Sequence, residues 1–259
     1  MNRQPAVAGT FYPANPQQLH QMLDQLLNDA ETTGKVPKAI IAPHAGYVYS
    51  GPIAATAYAR LKKAHDMINR VVIIGPSHRV AFKGLALSRA QTFATPLGSV
   101  LVDQKALQGL EHLPFVDYIE QAHTQEHSLE VHLPFLQEML DDFKIIPLVA
   151  GDASPEQVSQ VIDMLWGGEE TLIVISSDLS HYHDYRAAQQ LDKSTSAAIE
   201  QLQYEQLAFD SACGKVPVSG LLKLAREKSL TIKNIDLRNS GDTAGDKSRV
   251  VGYGAYVIE

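Results

Sequence analysis

Three segments of this chain run from an apolar stretch into residues that bind metals or move protons. Lys38-Ala-Ile-Ile-Ala-Pro-His44 and Val71-Val-Ile-Ile-Gly-Pro-Ser-His78 each end on a proline-led turn that delivers a histidine. Thr171-Leu-Ile-Val-Ile-Ser-Ser-Asp178 has a similar form and leads on to His181 and His183. Imidazoles gathered in this way suit a metal ion or proton transfer. His44 and His78 supply two ligands, and the sequence offers two candidates for a third. Asp178 would complete a triad of two histidines and one carboxylate, the set used by non-haem iron(II) oxygenases. Cys213 lies among glycine-containing turn residues just ahead of a helix whose first turn holds Pro217, and a helix N-terminus favours the thiolate that binds metal. Asp178 and His181 also form an acid and base three residues apart, in which the carboxylate orients a ring that takes a proton from substrate.

A competing pattern is His123-Thr-Gln-Glu-His127, which fits the His-x-x-Glu-His motif of inverted zinc peptidases. That chemistry needs both histidines on one helical face, whereas the helical spacing here starts near Ser128. Glu126, His127, Glu130 and His132 are better read as a polar rim on the pocket or an N-terminal helix cap. No Gly-x-Gly-x-x-Gly follows a strand, and neither a Walker loop nor a Gly-x-Ser-x-Gly elbow occurs, which removes the usual anchors of nucleotide binding and serine hydrolysis.

The elements that must position these residues alternate. Apolar spacing at Leu19, Met22, Leu23, Leu26 and Leu27 predicts a helix over 16–28, and Ser50 to Lys63 reads as a second, with a serine cap and Pro52 in its first turn. The run before His44, that helix and the run Val71 to Ile74 form a βαβ crossover, which makes the two strands parallel and neighbouring. Gly84 to Ser88 and Val100 to Val102 read as strands with an irregular loop at Phe93 to Gly98 between them. A helix over 128–140 contains Pro134 as an interior kink. Strands at 144–149 and 171–176, helices at 155–166, 185–202 and 218–228, and closing strands at 231–237 and 250–258 complete an α/β fold. Its sheet is mixed and mostly parallel, with helices on both faces. The carboxyl ends of parallel strands share one edge, where open α/β sheets bind ligands.

The 259 residues are 45% hydrophobic and 20% charged, suited to a single domain over 1–259. With 22 basic against 29 acidic residues the formal charge is −7, and no basic stripe suggests nucleic acid as a partner. The N-terminus lacks the apolar core of a signal peptide and no run is long enough to span a membrane, which points to a cytoplasmic protein without a membrane partner. Cys213 is the lone cysteine, so neither an intrachain disulfide nor a Cys-x-x-Cys knuckle can form.

Ordered motifs along the whole chain resemble the Memo family: Pro5-Ala-Val-Ala-Gly-Thr-Phe-Tyr-Pro13, Ala42-Pro-His-Ala-Gly-Tyr-Val-Tyr-Ser-Gly51, Gly75-Pro-Ser-His78, Thr95-Pro-Leu-Gly98, Glu126-His-Ser-Leu-Glu-Val-His-Leu-Pro-Phe135, Ser176-Ser-Asp-Leu-Ser-His181, Asn239-Ser-Gly-Asp242 and Gly245-Asp-Lys-Ser-Arg-Val-Val-Gly-Tyr-Gly254. The resemblance implies the α/β/α sandwich of class III extradiol dioxygenases, with a metal pocket in the corresponding place. It implies His44, His78 and Cys213 as ligands, with Asp178 and the acid/base His181 beside them. Iron(II) is the metal implied first, with copper or zinc as others, and redox or O2 chemistry as the activity. It further implies a functional link to a radical SAM protein and an unidentified small-molecule or peptide ligand. A cysteine in place of the dioxygenases' glutamate is softer and oxidisable, so catechol cleavage does not carry over with the fold. A non-catalytic binding module using the same pocket is the other reading.

Overall fold

The fold follows from a few short, wholly apolar runs that become the centre of one sheet. The computed structural model describes residues 1–31 and 33–259. Its strands are β1 (Asn2–Arg3), β2 (Ala39–Ala42), β3 (Arg70–Pro76), β4 (Leu85–Leu87), β5 (Thr92–Thr95), β6 (Gly98–Val102), β7 (Val116–Tyr118), β8 (Lys144–Ala150), β9 (Thr171–Ser176), β10 (His181–His183), β11 (Ile232–Asn239) and β12 (Val250–Ile258). The helices are α1 (Pro16–Asp29), α2 (Tyr47–Tyr58), α3 (Gln104–Gln108), α4 (Glu120–Thr124), α5 (Leu133–Met139), α6 (Pro155–Met164), α7 (Tyr185–Glu200), α8 (Lys215–Glu227) and α9 (Ser240–Thr243). The sheet runs β1-β5-β6-β8-β3-β9-β2-β12-β10, with β11 paired to β12 and β4 to both β7 and β8. Helices cover both of its sides, α8 packing on β3 and β9 and α2 on β2 and β12. The mixed, mostly parallel α/β architecture expected from the alternating pattern is the one observed. Among the described residues, no helix is long and apolar enough to cross a membrane.

The central strands β8, β3, β9 and β2 are parallel, and Val71 to Ile74, Leu172 to Ile175 and Ile40 to Ala42 are buried. Continuous Val and Ile runs of this kind are what a strand covered on both faces requires. Registers Ala42↔Ser176 and Ile74↔Ile175 align the carboxyl ends. His44, His78 and Asp178 each lie two residues beyond a strand that ends at Ala42, Pro76 or Ser176. One edge of the sheet therefore presents all three.

Four local expectations need correction. β2 and β3 are parallel but not neighbours, because β9 lies between them. The crossover rule fixes the handedness and direction of such strands but leaves room for a later strand to enter between them. Phe93 to Gly98 is no irregular loop: β5 and β6 form an antiparallel hairpin through Pro96 and Leu97, with Gly98 at φ 124°. Helix α2 starts at Tyr47, three residues before the expected serine cap, with Pro52 in its interior. The Tyr47 N–H is held by the Phe11 carbonyl at 2.8 Å, and Ser50 instead bonds back to the Ala45 carbonyl at 2.9 Å. The expected 128–140 helix is a 3-10 turn at Glu130–His132 followed by α5. Pro134 falls in the first turn of α5, where its missing N–H costs nothing, so it starts a helix instead of kinking one.

Candidate metal centre

His44 is placed by the sharp passage from β2 into α2. Its ring is buried, Nδ1 lies 2.6 Å from the Ser176 hydroxyl at the end of β9, and its backbone N–H donates to Asp178 Oδ1 at 2.8 Å. Burial first, then the neighbouring imidazoles, holds His44 well below the usual histidine value, so the ring is neutral and able to ligate. His78 is the exposed member. The Glu126 carboxylate accepts from both its backbone N–H at 2.6 Å and its ring Nδ1 at 2.8 Å, which leaves Nε2 free.

Cys213 reaches the same point from the loop ahead of α8. Its Sγ lies 3.3 Å from His44 Nε2 and accepts the Asp178 N–H at 3.3 Å. Close packing beneath the loop depends on Gly214, whose N–H donates to Ser177 Oγ at 3.0 Å; a Cβ there would stand 2.4 Å from the Ser176 carbonyl oxygen. The thiolate expected from the helix N-terminus is opposed in the protein alone: burial, then the Asp178 carboxylate, pushes the thiol up. A divalent cation held there would reverse that balance, since a coordinating thiol is deprotonated outright.

Ligand atoms of His44, His78 and Cys213 all lie within 4.8 Å of one another. Nitrogen and sulfur donors sharing one ion at bonds of about 2.0–2.3 Å stand roughly 3.3–3.7 Å apart, a spacing that the His44–Cys213 pair already has. The donor set thus fits a metal. Asp178 does not enter this group. Its Oδ2 comes to 4.0 Å from His44 Nε2 while Oδ1 is taken by the His44 N–H, and burial pushes its pKa up. Between the two candidates for third ligand, the geometry groups Cys213 with the histidines and leaves Asp178 beside the group at His44 Nε2.

His181 begins β10, a short strand paired with Val250 and Val251 through an irregular register at Tyr182, whose φ is 63°. Its Nδ1 faces the Leu179 carbonyl at 2.9 Å, which can only accept, so Nδ1 carries a proton and Nε2 is the nitrogen left for other partners. His183, by contrast, is exposed.

The five-residue peptidase pattern comes apart. Helix α4 ends at Thr124, so His123 and His127 share no helical face. His123 is buried with Nε2 at 3.0 Å from the Ala86 carbonyl, belongs to none of the donor clusters among the described residues, and burial holds it down at about 4. Glu126 is an orienting carboxylate: burial works to raise it, but hydrogen bonds from His78 and from Ser128 N–H outweigh that and hold it at about 2. His127 joins the centre from another side, stacked on His78 at 4.7 Å between centroids and edge-on to His44 at 5.5 Å.

Two contributors escaped sequence reasoning. Glu126 was legible only as rim, because its partner His78 lies 48 residues away. The N-terminal segment reaches the histidine cluster: Phe11 meets the His127 ring at 4.8 Å. It is pinned by buried Glu130, which pairs with Arg3 and accepts the N–H groups of Ala6 at 2.7 Å and Val7 at 3.0 Å.

The whole chain has relatives. The family description "Memo-like protein" matches residues 3–257. A "MEMO1 family protein" of Aquifex aeolicus (strain VF5) is 39% identical over 264 residues, covering 97% of each chain. One from Methanosarcina barkeri (strain Fusaro / DSM 804) is 37% identical over 270 residues, covering 99% of this chain and 100% of that protein. A crystal structure of an uncharacterized protein from Escherichia coli K12 overlaps at a TM-score of 0.47 and 12% identity, over 85% of this chain and 98% of that one. Agreement of the family match and the relatives across nearly the entire length means that this chain belongs to the Memo family.

Proposed function

We propose that this chain is a metal-binding protein whose ion is held by His44, His78 and Cys213. The observation that carries the reading is the convergence of three donors from distant segments within 4.8 Å. Iron(II) is the first assignment and copper or zinc the others, because imidazole with thiolate suits all three. Turnover at the centre would be redox or O2 chemistry, and a bound ion would supply Lewis acidity or an electron. His181 would take and return protons through Nε2, while buried Asp178 fixes the His44 backbone and stabilises charge at His181. Catechol cleavage is left out of the proposal because the thiolate replaces the carboxylate ligand of the dioxygenases. A cytoplasmic location and a functional link to a radical SAM protein belong to the same reading.

A second reading, a non-catalytic module for a peptide or metabolite, is favoured by Tyr182 and Phe209. These large exposed aromatics adjoin His181 and the Cys213 loop respectively. One experiment addresses both. Protein purified anaerobically without added metal is assayed for bound metal as wild type, His44→Ala and Cys213→Ser, and for O2 consumption with catechols and thiols. Metal lost in both variants supports the centre, and equal metal in all three sinks it. O2 consumption no greater than that of free metal selects the binding module.

A further inference from the structure

Below the centre, a buried chain of polar side chains ends on the back of His44. Tyr58 Oη lies 2.8 Å from His132 Nδ1, His132 Nε2 lies 2.8 Å from Ser176 Oγ, and Ser176 Oγ lies 2.6 Å from both the Ser128 carbonyl oxygen and His44 Nδ1. Tyr58, Ser128, His132, Ser176 and His44 are all buried.

Counting protons along this chain leaves one arrangement. A carbonyl oxygen only accepts, so at 2.6 Å the hydroxyl proton of Ser176 must point at Ser128 O. A serine hydroxyl has one proton, and its two lone pairs must then accept from both rings. His132 is therefore protonated on Nε2, and its Nδ1 accepts from the Tyr58 hydroxyl. Burial keeps His132 neutral, at about 3, in keeping with a single ring proton. His44 is protonated on Nδ1. Its Nε2 carries the lone pair, on the side that lies 3.3 Å from Cys213 Sγ.

We infer that Ser176 is a positioning residue of the centre, its hydroxyl oriented by the Ser128 carbonyl so that it fixes His44 in the Nδ1–H tautomer and aims the free Nε2 at the metal position beside Cys213. The inference rests on the proposed metal centre for its purpose but on hydrogen-bond stoichiometry for its content. His44 and His78 are then held by different means. A charged carboxylate holds the exposed ligand, and a neutral hydroxyl with no acidity of its own holds the buried one. With the buried Asp178 carboxyl already 4.0 Å from His44 Nε2, a neutral acceptor at Nδ1 spares this side of the centre a second buried carboxylate.

The test uses full-length protein stripped of metal by chelator and labelled with 15N-histidine. Long-range 15N–1H correlation spectra report the tautomer of each ring, and competition with a chromophoric chelator reports zinc(II) affinity. The expected wild-type result is Nδ1–H for His44 and Nε2–H for His132. Ser176→Ala should lose the His44 preference and weaken zinc(II) binding about 10–100-fold, the usual effect of removing an orienting partner. An Nε2–H tautomer at His44 in wild type overturns the inference, as does a Ser176→Ala protein with unchanged tautomer and affinity. Should Ser176→Ala fail to fold, the wild-type tautomer decides alone. Retention of metal by His44→Ala would sink the metal centre while leaving the tautomer result standing, so the two failures are separable.

Discussion

His78 and Glu126 are joined twice, the carboxylate receiving both the backbone N–H and the ring N–H of the same histidine at 2.6 and 2.8 Å. The double contact fixes where the β3 turn ends and which ring nitrogen stays free. It also makes Glu126 the acid in this pocket whose charge is most securely held. Glu126→Gln keeps the shape and removes the charge. We expect it to weaken metal binding about 10–100-fold while the protein stays folded. Wild-type affinity in this variant, measured by chelator competition, would show that His78 needs no such support.

His123 separates a structural from a ligating histidine. Its ring donates to Ala86 O at 3.0 Å inside the core, edge-on to Phe93. His123→Ala should lower stability by roughly 2–4 kcal/mol, through the cavity and the lost hydrogen bond, and leave metal stoichiometry unchanged. Urea unfolding and metal analysis on the same preparation check both. Loss of metal from the folded variant would restore the peptidase reading.

Gly214 is needed for space. A methyl group there would press on the Ser176 carbonyl oxygen at 2.4 Å and the Ser177 side chain at 2.5 Å. Gly214→Ala should therefore push the Cys213 loop off β9 and cost metal affinity more than stability, since the loop can lift without unfolding the sheet. Thiol labelling gives the direct measurement: Cys213 in the variant should react faster than in wild type. An equal rate contradicts the account.

Acid should destabilise the metal-free protein from about pH 6.5 downward, above the ordinary carboxylate range. His123 and His132 are held at about 4 and about 3, below the usual histidine value of 6.5. Between those limits the unfolded chain binds protons that the folded chain refuses, so stability rises with pH and falls as pH drops below about 6.5. Glu126, held at about 2 against 4.5, adds a loss of the same sign lower down. One unit of separation corresponds to about 1.4 kcal/mol, which makes the combined effect several kcal/mol by about pH 4. Urea midpoints at pH 7, 5.5 and 4.5 should fall steadily, and His132→Gln should flatten the curve. A midpoint constant over that range would exclude the buried neutral rings as its source.

The strand-end residues were readable because the signal is local. A wholly apolar run followed by a short polar or proline-led turn says where a chain leaves a buried strand, and His44, His78 and Asp178 all sit where that pattern puts them. The family resemblance then singled out Cys213 over Asp178. What could not be read depends on partners distant in sequence. Pro134 resembles an interior kink until the 3-10 turn before it is known, and Glu126 reads as no more than a rim or helix-cap residue until His78 arrives. Ser176 is the extreme case, a serine at a strand end whose role exists only once Ser128, His132 and His44 surround it.

The strand β9, lying between β2 and β3, also sets a timetable. A chain made from its N-terminus has both ligand histidines available roughly ninety residues before the strand that spaces them, and the thiol follows later still. Early in synthesis the two histidines have no shared edge to occupy, and any ion they meet is held by loose side chains. The centre is thus withheld from the nascent protein until about four-fifths of it has been made. On the proposed reading, selection of a metal would be a property of the nearly finished molecule.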